Sequence, residues 1–216
     1  MEGNESELPV ETRDPVTVRR LEPADFFCGV TLIGALLMAT AGSLDGALFL
    51  AVTFMALLVL RRVGLPTPFE VCFATGIVLQ GWGNALLLFE RIDWYDKAVH
   101  FLTPMLVVPS LYLLLARVGA VPPPWENGLR RGALGLFVVT VALGTALATI
   151  WELVEGGADL LLGTGLAHGY LETIADLYSS LLGAVAAGAV LAWWASTGGR
   201  DLPAKRVRAE ALAEGE

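Results

Sequence analysis

Residues 132–151 read GALGLFVVTVALGTALATIW, twenty residues with no charge among them. As a helix rising about 1.5 Å per residue they extend about 30 Å, the thickness of a bilayer's hydrocarbon core. Arg130 and Arg131 precede this run, and Glu152 and Glu155 follow it. Five similar uncharged runs occupy residues 26–44, 46–60, 71–89, 98–116 and 177–197. Only 46–60 is short, at about 22 Å of helix, so its helix must continue past Asp45 or Arg61, the two arginines Arg61 and Arg62 extending toward head groups. The expected fold is all-α: a polytopic membrane protein built as a bundle of six transmembrane helices over residues 26–197, with five helices as the alternative. Residues 1–25 and 198–216 read as charged, disordered tails.

Composition agrees with a membrane protein. The 216-residue chain is 55% hydrophobic and 17% charged, with a mean hydropathy of +0.64, too apolar for an ordinary soluble domain of this length. Much of the net charge of -8 comes from the tails, and no basic patch suggests nucleic acid as a partner. Residues 1–25 are acidic and lack a cleavage signature, so the first helix is expected to be retained. Cys28 and Cys72 have no metal-type spacing and read as small packing residues.

The basic residues set the orientation. Of 14 Lys and Arg, twelve (Arg13, Arg19, Arg20, Arg61, Arg62, Arg117, Arg130, Arg131, Arg200, Lys205, Arg206 and Arg208) fall on one side of a six-span drawing and two, Arg91 and Lys97, on the other. The positive-inside rule then places both termini in the cytoplasm, in the cell membrane. Trp94, Tyr95, Trp151 and Tyr170 would mark the outer interface, and Trp125, Trp193 and Trp194 the inner one.

The residues that carry chemistry lie at the outer ends of the last three spans. Asp96 and His100 are four apart, with Asp93 a turn earlier if the helix begins that soon; Glu152, Glu155 and Asp159, spaced i, i+3 and i+7, continue the fifth helix with their carboxylates on one side; Glu172 and Asp176 open the sixth. Charges near hydrocarbon are costly and should face one another or a wet cavity. Crowded carboxylates also repel unless a cation such as Lys97, Arg91 or a protonated His100 lies among them. Asp96, His100, Glu152, Glu155 and Asp176 are the candidate site residues. Asp96, His100, Glu155 and Asp176 would suit a divalent metal such as Zn, Mn, Fe or Mg. Asp93, Asp159, Glu172, Arg91 and His168 read as wet loop residues. The first three spans offer only Gln80 and Asn84, four apart, read as interhelical hydrogen-bonding groups. Residues 152–172, ELVEGGADLLLGTGLAHGYLE, contain five glycines and read as an irregular segment capping a pocket.

Three motifs, Tyr95-Asp96-Lys97-x-x-His100-Phe101, Glu152-x-x-Glu155 and Thr173-x-x-Asp176 followed by Gly183, resemble those of the YjdF-like and VanZ-like families of small bacterial membrane proteins over roughly residues 90–190. The VanZ-like resemblance implies a cell-envelope role, since such proteins are linked to reduced glycopeptide susceptibility. Glu155 stands where those proteins more often have Gln, and the Arg expected before the last Asp is missing. The YjdF-like match is therefore closer, and it brings no defined reaction.

Three functions fit these residues. In the first, the site holds a divalent cation that engages a phosphate-bearing lipid or envelope precursor, or activates water with Glu152 as base. In the second, the acids relay protons for an ion-coupled transporter, although they lie away from the midplane and the first three spans do not repeat them. In the third, the cluster is structural, and small-residue spacings such as Gly183/Ala187 and Ala184/Gly188 pack the helices.

Overall fold

A computed structural model describes residues 23–124, 131–163 and 169–197. The chain is all-helical over these residues: α1 (Pro23–Thr40), α2 (Leu44–Val63), α3 (Thr67–Ala85), the single turn α4 (Leu88–Arg91), α5 (Tyr95–Arg117), α6 (Arg131–Leu162) and α7 (Tyr170–Ser196). Residues 1–22 and 198–216, together with Trp125, Arg130 and His168, lie outside the described residues, so most of both expected tails does too. The first helix begins at Pro23, inside the segment read as tail.

Among the described residues, five helices are long and apolar enough to cross a membrane: α1, α2, α5, α6 and α7. The chain is therefore a multi-pass membrane protein. The remaining expected span, 71–89, corresponds to α3, which does not reach the same apolarity because it carries Glu70, Gln80 and Asn84. It also stops earlier than its uncharged run. Leu87 adopts a left-handed conformation (φ 57°), rare for a side chain of this kind, and turns the chain into α4.

The helices alternate between two ends of the bundle. At one end Arg61 pairs with Asp25 at 2.6 Å, Phe69 packs edge-on against Trp194, and Ser110 donates to the Phe69 carbonyl. The opposite end holds the start of α5, the finish of α3 and the start of α7. α3 runs from the Arg61 end, where Glu70 accepts from the Ala24 backbone N–H, to the Asp96 end, where the Tyr95 hydroxyl donates to the Leu79 carbonyl. Tyr95 is thus buried among the helices. Trp94, Trp151, Tyr170 and Trp193 do present exposed rings.

α7 lies between α5 and α6, and α5 packs in turn on α3, which meets α1 and α2. Small residues permit this. A side chain at Gly183 would run into the Phe101 carbonyl of α5, while Gly144 of α6 meets Ala184 and Gly188 of α7 meets Phe137. A buried apolar cluster including Leu57, Leu60, Phe69, Leu113 and Leu191 fills the Arg61 end. Large apolar side chains such as Ile33, Leu37, Val52 and Leu153 face outward, as a surface solvated by hydrocarbon requires.

The largest departure from expectation lies in α6. It runs for 32 residues to Leu162, past Asp159, so the stretch 152–162 is wholly helical and the irregular cap read for 152–172 does not begin there. Gly156 and Gly157 each cost a helix about 1 kcal/mol relative to Ala. The helix nevertheless continues through both. The helix stops at Gly163, which takes a positive φ of 66°.

Candidate functional site

Three helices bring polar side chains to the Asp96 end. α5 starts at Tyr95, which leaves Asp93 before the helix and exposed, off the face it was expected to share. Asp96 and His100 lie one turn apart on α5, and His100 Nε2 is 3.4 Å from Asp96 Oδ1. Pro104 follows four residues after His100 and has no N–H for the His100 carbonyl, so the helix ladder is interrupted directly beneath the imidazole.

α7 supplies Asp176, whose Oδ1 is 4.0 Å from His100 Nε2. The ligand atoms of Asp96, His100 and Asp176 all lie within 4.8 Å of one another. From α6, Glu152 Oε1 comes to 3.9 Å from His100 Nδ1. The Glu152 side chain is only 9% exposed, and this Oε1 has no hydrogen-bond partner. Its neighbour Thr173 lies within hydrogen-bond reach of the carboxylate. Glu155 stands one turn further along the same face of α6, half-buried, with the Trp151 side chain beside it; the converging group of ligand atoms does not include it.

A built-in cation already lies among these acids. Lys97 Nζ contacts Asp96 Oδ2 at 2.8 Å, Asp176 Oδ1 at 2.7 Å and Glu172 Oε2 at 2.5 Å. One lysine therefore ties α5 to α7 twice over, and Glu172, expected to be a loop residue, takes part in the network from the first turn of α7. Asp176 Oδ1 is shared between Lys97 and His100, so any further cation at this oxygen would compete with the ammonium.

Ser180 was absent from the sequence-based candidates. It lies one turn below Asp176 on α7, buried, with its Oγ 3.2 Å from His100 Nδ1. The i, i+4 relation to Asp176 was the available signal, but a serine among apolar helix residues is too common for that spacing to single it out. His100 thus touches Asp96 and Asp176 through one nitrogen, and Ser180 and Glu152 through the other.

The polar cluster borders a cavity of about 520 Å³. His100 and Ser180 form part of its wall, with Gln80 and Asn84 of α3; most of the remaining lining is apolar, contributed by α2, α3, α5 and α6. Gln80 and Asn84 therefore face the same space as the candidate site. Cys28 and Cys72 are free thiols, the first buried and the second half-buried.

No curated protein and no solved structure matches the chain. A family model does, over residues 27–197, which covers α2 to α7 and nearly all of α1. The chain belongs to the family described as Predicted membrane protein (DUF2238).

Proposed function

We propose that Asp96, His100 and Asp176, with Glu152 beside them and Glu155 one turn away, form a membrane-embedded site for a divalent cation that engages the phosphate of a lipid or envelope precursor. The observation that carries this reading is the orphaned Glu152 Oε1, buried 3.9 Å from His100. A buried carboxylate oxygen without a donor is costly, and a cation or a phosphate-linked proton at this point would relieve it. Nitrogen and oxygen ligands of this kind suit Zn, Mn, Fe or Mg. Six spans, with α3 crossing beside the five more apolar helices, would put both termini in the cytoplasm and the site at the outer leaflet of the cell membrane. The positive-inside count supports that orientation. The envelope role implied by the VanZ-like resemblance is consistent with it.

Elemental analysis of the purified protein tests the metal. About one divalent ion per chain is expected, falling at least fivefold in His100→Ala. No stoichiometric metal in either protein would overturn the proposal.

A second reading is favoured by Lys97. Its contacts with three carboxylates make an internal ion-pair network able to lock α5 against α7 without any ligand. Lys97→Gln separates the two. A metal site should bind its ion about tenfold more tightly once the competing ammonium is gone, whereas a structural network should simply lose thermal stability.

A further inference from the structure

The cavity beside the cluster has a direction. α2 and α5 run away from the Asp96 end, and α3 and α6 run toward it. Gln80, Asn84, His100 and Ser180 line it toward that end, and Thr53 and Thr103 are the other polar residues of its wall. Deeper in, the walls are residues such as Ala56, Gly76, Val107, Val108 and Gly144. From His100 to Val108 the cavity follows about 12 Å of helix at 1.5 Å per residue.

Its position fits one occupant. The cavity lies between α2 and α6, two of the helices apolar enough to cross a membrane, and its rim includes Leu48, Val52, Leu147 and Trp151, all with exposed side chains. What adjoins such a rim in a bilayer is hydrocarbon. A volume of about 520 Å³ falls within the roughly 300–1,000 Å³ typical of small-molecule sites. A wall that is polar at one end and apolar toward the middle of the bundle matches a lipid, head outward and chain inward.

We infer that this cavity holds one hydrocarbon chain of a single lipid, entering between α2 and α6, with the head-group end at His100 and Ser180. The inference deepens the head-group reading of the same site and rests on it only for the head group's chemistry. Small side chains keep the space open. Ala56 of α2 and Ala148 of α6 line it from opposite sides, and an aromatic ring at either position would fill it.

The test uses the full chain in vesicles of phosphatidylcholine containing a phosphatidylglycerol with a photoreactive group near the end of one acyl chain. Cross-links are mapped by mass spectrometry. Labelling on residues 48–56 and 144–151 is expected to exceed that on the exposed Ile33–Leu37 face of α1 at least fivefold. Ala56→Phe and Ala148→Phe should each bring it down to the α1 level, with the α1 label itself, and the metal content, unchanged. Uniform labelling of all exposed apolar faces, or cavity labelling that survives both substitutions, would overturn the inference. So would loss of the cavity label as the protein-to-lipid ratio is raised, which would assign the groove to a second copy. Specific cavity labelling in a protein without metal would leave this inference standing and remove the cation.

Discussion

At the Arg61 end of the bundle, Asp25 and Arg61 form an ion pair at 2.6 Å, and Arg117 donates to the Val63 and Gly64 carbonyls where α2 ends. At the Asp96 end, the carboxylates of Asp96, Glu152, Glu155, Glu172 and Asp176 share one lysine and one histidine. The first arrangement closes helix ends and joins α1 to α2 and α5 to the α2–α3 turn, next to the apolar cluster around Leu57 and Phe69. The second carries more acid than base and leaves Glu152 Oε1 without a donor. Arg61 Nε is likewise without a hydrogen-bond partner, so the two ends differ in their balance of charge. A buried surplus of one sign calls for something else, a proton, an ion or a ligand.

The largest effect should come from Asp176→Ala. Asp176 is buried and contacts both Lys97 and His100, so its loss should cost about 3 kcal/mol, the low end for breaking a buried pair, because Lys97 keeps two other partners. Reversible unfolding in detergent measures this. A loss under about 1 kcal/mol would show the Asp96 end to be no more demanding than a surface.

Gly183→Ala should follow, at about 2 kcal/mol, within the range for overpacking a close contact. The added carbon meets the Phe101 backbone carbonyl, which cannot rotate aside. Gly34→Ala is the matching change in the first half of the molecule. There the new carbon meets the ring of Trp82, a side chain that can shift, and the cost should be about half as large. Equal costs would mean that α5 and α7 are held no more rigidly than α1 and α3.

Arg117→Ala should have the smallest effect, about 1 kcal/mol or less, because its two hydrogen bonds are exposed. Elemental analysis of the same variant should show no change in metal content. A change would connect the two ends and break the contrast between them.

Much of this molecule can be read from local pattern. Uncharged runs of about twenty residues indicate membrane helices because the bilayer imposes that length. The i, i+4 spacing of Asp96 and His100 puts them on one face in any helix that includes both. Other features escape such a reading. Glu70, at the edge of an apolar run, becomes a buried partner of the α1 backbone only when α1 lies beside α3. Helix continues through Gly156 and Gly157 against their local propensity, beyond Glu152 and Glu155, whose i, i+3 spacing alone already puts them on one face.

The amino-acid order was enough for the helical class, the membrane and the face of each helix that bears acid, since all three follow from composition and a period of a few residues. Packing alone decided that Lys97 would bridge Asp96, Glu172 and Asp176, that Ser180 would meet His100 from eighty positions away, and that a cavity would open beside them. Such contacts depend on which helices become neighbours, and that choice is made by side-chain volumes such as those of Gly183, Ala184 and Gly188, summed over the whole bundle.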